Sequence, residues 1–196
     1  MYIPYHILLP LLVMLSGCRL FNSDDPPVPF EPVFTAEING EPYDGTKPPY
    51  GGAQAVMTMQ GDYDFLTIFA YQYSEEWYPY NEYVGIHLIY EEGTTTYPTR
   101  KDTVQINEVY DLHPGGGYGE NDGDAIISTY HTQGDDDGFI TVGMEELGDG
   151  RTVVFGTFEM RVIVSGRANQ YSRRVGQDTL HITNGEYRVL LDDRRD

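Results

Sequence analysis

The sequence predicts an all-β domain: an antiparallel β-sandwich or flattened barrel of about ten short strands, with little or no helix. Three observations carry that expectation. Apolar residues recur with a period of two in short segments, and no stretch sustains a period of 3.6. The segments are separated by turn pairs such as Asn39-Gly40, Gly61-Asp62 and Asn184-Gly185. The core material is 17 Tyr and 8 Phe with many Val and Ile, side chains that fit a pleated, half-buried surface.

The elements follow in order. Residues 34–38 alternate and stop at Asn39-Gly40, a hairpin-type pair. Residues 47–52 are a Pro- and Gly-rich loop, and 53–59 read as a strand. In 65–73, Phe65, Thr67, Phe69, Tyr71 and Tyr73 share one face, with Leu66, Ile68 and Ala70 on the other. Two apolar faces predict a central strand. Residues 74–82 read as a polar loop that carries Trp77, Tyr78 and Tyr80, and 83–90 as a strand. Residues 93–98 are short and extended, and 103–112 alternate as one strand.

Residues 113–124, with Gly115-Gly116-Gly117 and Gly119, read as a mobile loop. A strand over 125–132, a turn over 134–138 and a strand over 139–145 follow. The clearest element is 152–164, where Val154, Gly156, Phe158, Met160, Val162 and Val164 take the core face. Residues 167–177 read as a polar loop. The strand 179–191 contains Asn184-Gly185 as a bulge or tight bend, and 192–196 is a charged tail. No helical crossover is long enough for parallel βαβ units.

Ahead of this domain, residues 7–18 form an apolar run too short to span a bilayer, which takes about 20 residues. It has the character of a signal-peptide core closed by small residues. The end of the run, Leu15-Ser16-Gly17-Cys18, resembles the lipobox of bacterial lipoproteins. That resemblance implies cleavage between Gly17 and Cys18, and acylation of Cys18, palmitate included, as a lipid anchor. Signal peptide 1–17, lipidated stalk 18–33, β domain 34–191 and tail 192–196 are the expected divisions. The stalk holds Pro26, Pro27, Pro29 and Pro32. At about 3 Å per residue in polyproline II, residues 19–33 reach roughly 45 Å from a bilayer.

The lipoprotein resemblance also places the chain in the cell envelope, at the outer membrane on its periplasmic or cell-surface face. Arg19 follows the cysteine, in place of the aspartate that retains some lipoproteins at the inner membrane. Asp24-Asp25 resembles the acidic pairs of surface-displayed members. The order of four later segments resembles a family of small Bacteroidota-type outer-membrane lipoproteins of unknown function. These are residues 34–40, 93–98, Phe155-Gly156-Thr157-Phe158 and 182–187. The resemblance implies an all-β envelope protein and supplies no activity.

Composition narrows the function classes. Net charge is −19, which repels phosphate backbones and anionic lipid and argues against nucleic-acid binding. Cys18 is the one cysteine, so an acylated chain has no thiol for a disulfide, a zinc site or a nucleophile. Asp135-Asp136-Asp137-Gly138 fails the EF-hand pattern, because Gln133 and Met144 fall at its end positions, and reads as a solvated hairpin turn. No metal or other cofactor is expected. The oxygen ligands nearest to a calcium set are those of Glu120, Asp122 and Asp124. His87, His113, His131 and His181 show no metal-ligand spacing. Adjacent carboxylates such as Glu75-Glu76 and Glu145-Glu146 point to opposite faces of a strand, which argues against glycosidase chemistry.

Trp77, Tyr78 and Tyr80 remain, as a plug over one end of the domain or as a ligand surface. The expectation is a non-enzymatic, lipid-anchored binding or scaffolding domain. The alternative is a glycan- or small-ligand-binding module of an uptake system, with an envelope hydrolase the weakest reading. An envelope protein or a glycan is the partner class.

Overall fold

The computed structural model describes residues 29–48, 51–73, 80–100, 104–107, 110–123, 125–133, 135–165 and 171–195. They form strands β1 (Val33–Ile38), β2 (Glu41–Asp44), β3 (Gly52–Gln60), β4 (Tyr63–Tyr73), β5 (Tyr80–Ile89), β6 (Thr96–Arg100) and β7 (Val104–Asn107). After these come β8 (Tyr110–Leu112), β9 (Gly115–Asp122), β10 (Ala125–His131), β11 (Asp135–Thr141), β12 (Gly143–Glu146), β13 (Thr152–Val164) and β14 (Thr179–Arg194). There is no helix among the described residues. The all-β expectation holds, with more strands than the turn signals indicate.

Twelve strands belong to one sheet, and β7 and β8 pair separately. Hydrogen-bonded pairs run from β14 through β3, β4, β5, β9, β10 and β13, and β13 pairs again with β14. The sheet therefore closes on itself as a flattened barrel. On the far side of β14, β1 and β2 form a flap, and β11, β6 and β12 extend from the other edge of β13. The strands at the two ends of the path, β2 and β6, carry Pro42 and Pro98, residues with no backbone donor to offer a further strand.

The core lies on the inward phase of these strands. Phe34, Phe158 and Tyr187 meet with ring centroids 5.4 to 6.4 Å apart. Leu66, Ile68, Val84, Ile86, Leu88, Tyr118, Tyr130, Val162, Leu180 and Ile182 complete the filling. Each large apolar side chain taken from water contributes about 1.5–3 kcal/mol.

Local sequence explains the turns. Asn39 and Gly40 both have positive φ, 52° and 80°, the geometry of a two-residue hairpin loop between β1 and β2. Asn184, also at positive φ, opens a bulge that shifts the register of β14 against both β1 and β13. Gly185 follows because the Phe158 ring lies 2.6 Å from where its Cβ would stand.

Several expectations are corrected. Residues 115–122 are not a loop: β9 is paired along both edges, to β5 and β10. Neighbouring groups fill the space that its glycines leave. The Gly85 carbonyl lies 2.2 Å from a Cβ at Gly116, and the Tyr83 ring as close to one at Gly119. Asp135, Asp136, Asp137 and Gly138 are part of β11, not a turn. Residues 103–112 hold two strands, β7 and β8, not one. β4 is central as expected, paired to β3 and β5, but its outer face is half-covered, with Tyr71 exposed, and only its Leu66 face is core.

The barrel is not purely antiparallel, because Leu191–Arg194 pairs parallel to Ala55–Thr58. Of the residues expected as a charged tail, 192–194 thus extend β14. Their charges stay wet and paired, Arg194 to Asp192 and Arg195 to Asp193 and Asp64, so the backbone pairs without burying an ion.

Candidate functional site

Antiparallel register builds a cleft on the outer surface of β12, β13 and β14. Phe155 stands opposite Gly143 on one side and Arg188 on the other. The outward phase of β13 also presents Thr157, opposite Glu186. Gly143 has no side chain, and the Phe155 ring lies across it, 2.5 Å from where a Cβ would be. The result is a concavity of about 240 Å³, bounded by Phe155, Thr157, Glu145, Glu186 and Arg188 over the backbone of Gly156 and Tyr187.

The rim is polar and its wall is aromatic. Arg188 pairs with Glu145, and its guanidinium lies 5.0 Å from the centre of the Phe30 ring. The Thr157 hydroxyl is 2.9 Å from that of Thr141. Below, the buried Tyr187 hydroxyl donates to the Thr141 carbonyl at 2.6 Å and holds the floor in place. Phe155 remains 39% exposed, an aromatic side chain left toward solvent in a fold that buries its other phenylalanine on the same strand.

A second polar assembly lies inside, at the end of the barrel crossed by residues 171–178. Glu120, on the inward phase of β9, is fully buried. Its carboxylate accepts from the hydroxyls of Tyr80, Ser128 and Ser172 and from the Arg173 amide at 3.0 Å. Glu82 pairs with Arg173 at 3.2 Å. Burial pushes the Glu82 carboxyl above the usual carboxylate range, against the pull of Arg173 and Arg174. The buried Arg174 pairs with Glu41 at 2.7 Å and sits 5.8 Å over the Tyr118 ring. The Tyr130 hydroxyl donates to the Gln177 carbonyl at 3.0 Å. With acceptors met from four directions, Glu120 acts as the fastening that holds residues 171–178 across the barrel end.

The outer face beside β9 gathers histidines that the spacing kept apart. The rings of His87 and His113 lie 6.5 Å apart, and His131 covers Gly117. Burial, then His113 and His131, push His87 down to about 4. No three His, Cys, Asp or Glu side chains converge to hold a metal ion among the described residues.

Compared with protein-family models, curated proteins and solved structures, the chain matches none.

The sequence-derived candidates fall in different places. Tyr80 is not on a ligand surface: it lies in β5, buried, with its hydroxyl on Glu120. Asn81 and Glu82 are buried in the same strand, where a solvated turn was expected, because Asn121 and Arg173 meet them. Trp77 and Tyr78 lie outside the described residues, as do Gly17, Cys18 and Asp124. Of the calcium candidates, Glu120 is turned inward and occupied by donors, while Asp122 is exposed at the end of β9. The loop expected at 167–177 places Ser172 and Arg174 in the interior. The phase of Tyr118 and Glu120 was the available signal, hidden by the intervening glycines.

No described helix is long and apolar enough to cross a membrane.

Proposed function

We propose that this chain is a non-enzymatic, lipid-anchored domain of the bacterial outer membrane that acts as a binding or scaffolding module. Cys18 is the acylated residue after cleavage at Gly17, and the proline-rich stalk spaces the barrel from the bilayer. The reading is supported by the lipobox-like Leu15-Ser16-Gly17-Cys18 and by the family-like order of the later segments.

One observation carries the binding role. Among the described residues the inward side chains pack together as one core, whereas a built concavity with an exposed aromatic wall opens on the outer surface at Phe155. A module of this construction meets its partner on the outside.

The anchor is tested with labelled palmitate in cells expressing the full chain. Wild type is expected to incorporate label and fractionate with outer membranes. Cys18→Ser is expected to do neither, leaving a precursor or a mislocalised form. Normal maturation and membrane retention of Cys18→Ser would overturn the reading.

A further inference from the structure

We infer that the Phe155 cleft is a carbohydrate subsite that receives one neutral pyranose ring. The inference rests on the binding-module part of the proposed function and not on the anchor.

Size sets the first limit. At about 240 Å³ the concavity is smaller than the roughly 300–1,000 Å³ that encloses a drug-sized ligand. It accommodates a single ring, open on one side, as an end or branch of a longer glycan would require.

Polarity sets the second. One wall is the half-exposed Phe155 ring, and the margins are the Thr157 hydroxyl, two carboxylates and a guanidinium. A pyranose has the matching division: an apolar face of C–H groups for the ring, and hydroxyls at its edge that both donate and accept. Glu145 and Glu186 accept from such hydroxyls; Thr157 and Arg188 donate to them. A wholly apolar ligand would strip water from those groups and return no hydrogen bonds.

Charge sets the third. Arg188 is paired with Glu145, so Glu186 leaves the cleft net negative, on a chain of −19. Uronic acids, sialic acids and phosphates are repelled, and a neutral sugar is not.

Rigidity adds to this. Phe155 is seated on Gly143, and the floor is held by the Tyr187–Thr141 hydrogen bond. The aromatic wall is therefore in position before the ligand arrives, and little side-chain freedom is lost on binding.

The test is saturation-transfer NMR on the full chain in detergent, with methyl glucoside, methyl galactoside and N,N′-diacetylchitobiose as neutral probes. Glucuronate and arginine methyl ester serve as anionic and cationic probes. At least one neutral sugar should receive saturation, strongest at its ring C–H protons, and glucuronate none. Phe155→Ala should weaken binding about tenfold, the loss of one ring contact, and Phe155→Trp should retain it. Glu186→Gln should weaken it less, since an amide still accepts. No transfer to any neutral sugar would overturn the assignment, as would equal transfer in wild type and a folded Phe155→Ala. Preference for arginine methyl ester over every sugar would also overturn it. Palmitate incorporation separates the two claims. Label without a sugar signal removes this inference alone, and a sugar signal without label removes the anchor alone.

Discussion

The carbonyl oxygen of Gly85 occupies the position that a side chain at Gly116 would take, 2.2 Å from its Cβ. The two glycines lie on adjacent paired strands, β5 and β9, and Met160 closes the other side at 2.8 Å. The backbone cannot move there without breaking the β5–β9 pairing. Gly116→Ala should therefore cost more than about 3 kcal/mol, at the severe end of overpacking. At Gly119 the obstruction is the far end of the Tyr83 side chain, which can swing outward. Gly119→Ala should cost about 1 kcal/mol. Denaturant melts decide it, and equal costs would mean that β9 is not held as described.

Phe158 and Thr157 separate the two faces of β13. Phe158→Ala empties a fully buried site beside Phe34 and Tyr187 and should cost about 3–5 kcal/mol. Thr157→Ala, on the exposed face, should cost under about 1 kcal/mol. Melts of the two variants with similar losses would invert the barrel's inside and outside.

Tyr80 holds one of the four hydrogen bonds to Glu120. Tyr80→Phe keeps the ring and removes the donor, so it should cost about 1–3 kcal/mol. Tyr63→Phe, at an exposed position, should stay within about 0.5 kcal/mol. Hydrogen exchange at the Arg173 amide offers a local reading. It should quicken in Glu120→Ala relative to amides in β3, and unchanged protection would show that Glu120 does not fasten residues 171–178.

His87 makes stability depend on pH. Its folded value is pushed down from 6.5 to about 4, so it stays neutral in the fold while the unfolded chain takes up the proton first. That contribution is complete above pH 6.5 and is lost as pH falls through about 4. The total is on the order of 3 kcal/mol. The unfolding free energy of wild type should fall relative to that of His87→Gln by this amount as pH drops from 6.5 to about 4. Parallel curves would place His87 in solvent.

Where a residue's partners are near in sequence, the fold was legible before the structure. Asn39-Gly40 needs only its own backbone to declare a hairpin, and Asn184-Gly185 declares a bulge in the same way. The phase of β13 is written in its own side chains, apart from Val153, which is buried on the face expected to be outward. β9 was illegible because periodicity counts side chains, and its outer face is supplied by Tyr83 and His131 from neighbouring strands. Glu82 looked solvated for a similar reason, since Arg173 reaches it from across the chain. At the cleft, the outward phase of Phe155 and Thr157 could be read. Their meeting with Glu145 and Arg188 depends on strand register, which no single segment encodes.

The last strand carries a consequence for the order of assembly. β14 pairs with β1, with β13 and, over its final residues, with β3. Until it is in place, β1 has no partner on that side and the ring of strands stays open between β13 and β3. Most of its contacts join residues far apart along the chain, a topology that folds slowly because wide loops must close before any contact rewards them. A chain emerging from a translocation pore with its first strand leading would therefore remain unfinished until its last strand had followed. The edges left open during that wait are those of β1, β3 and β13, whereas the Pro-bearing β2 and β6 give a neighbouring copy little to pair with.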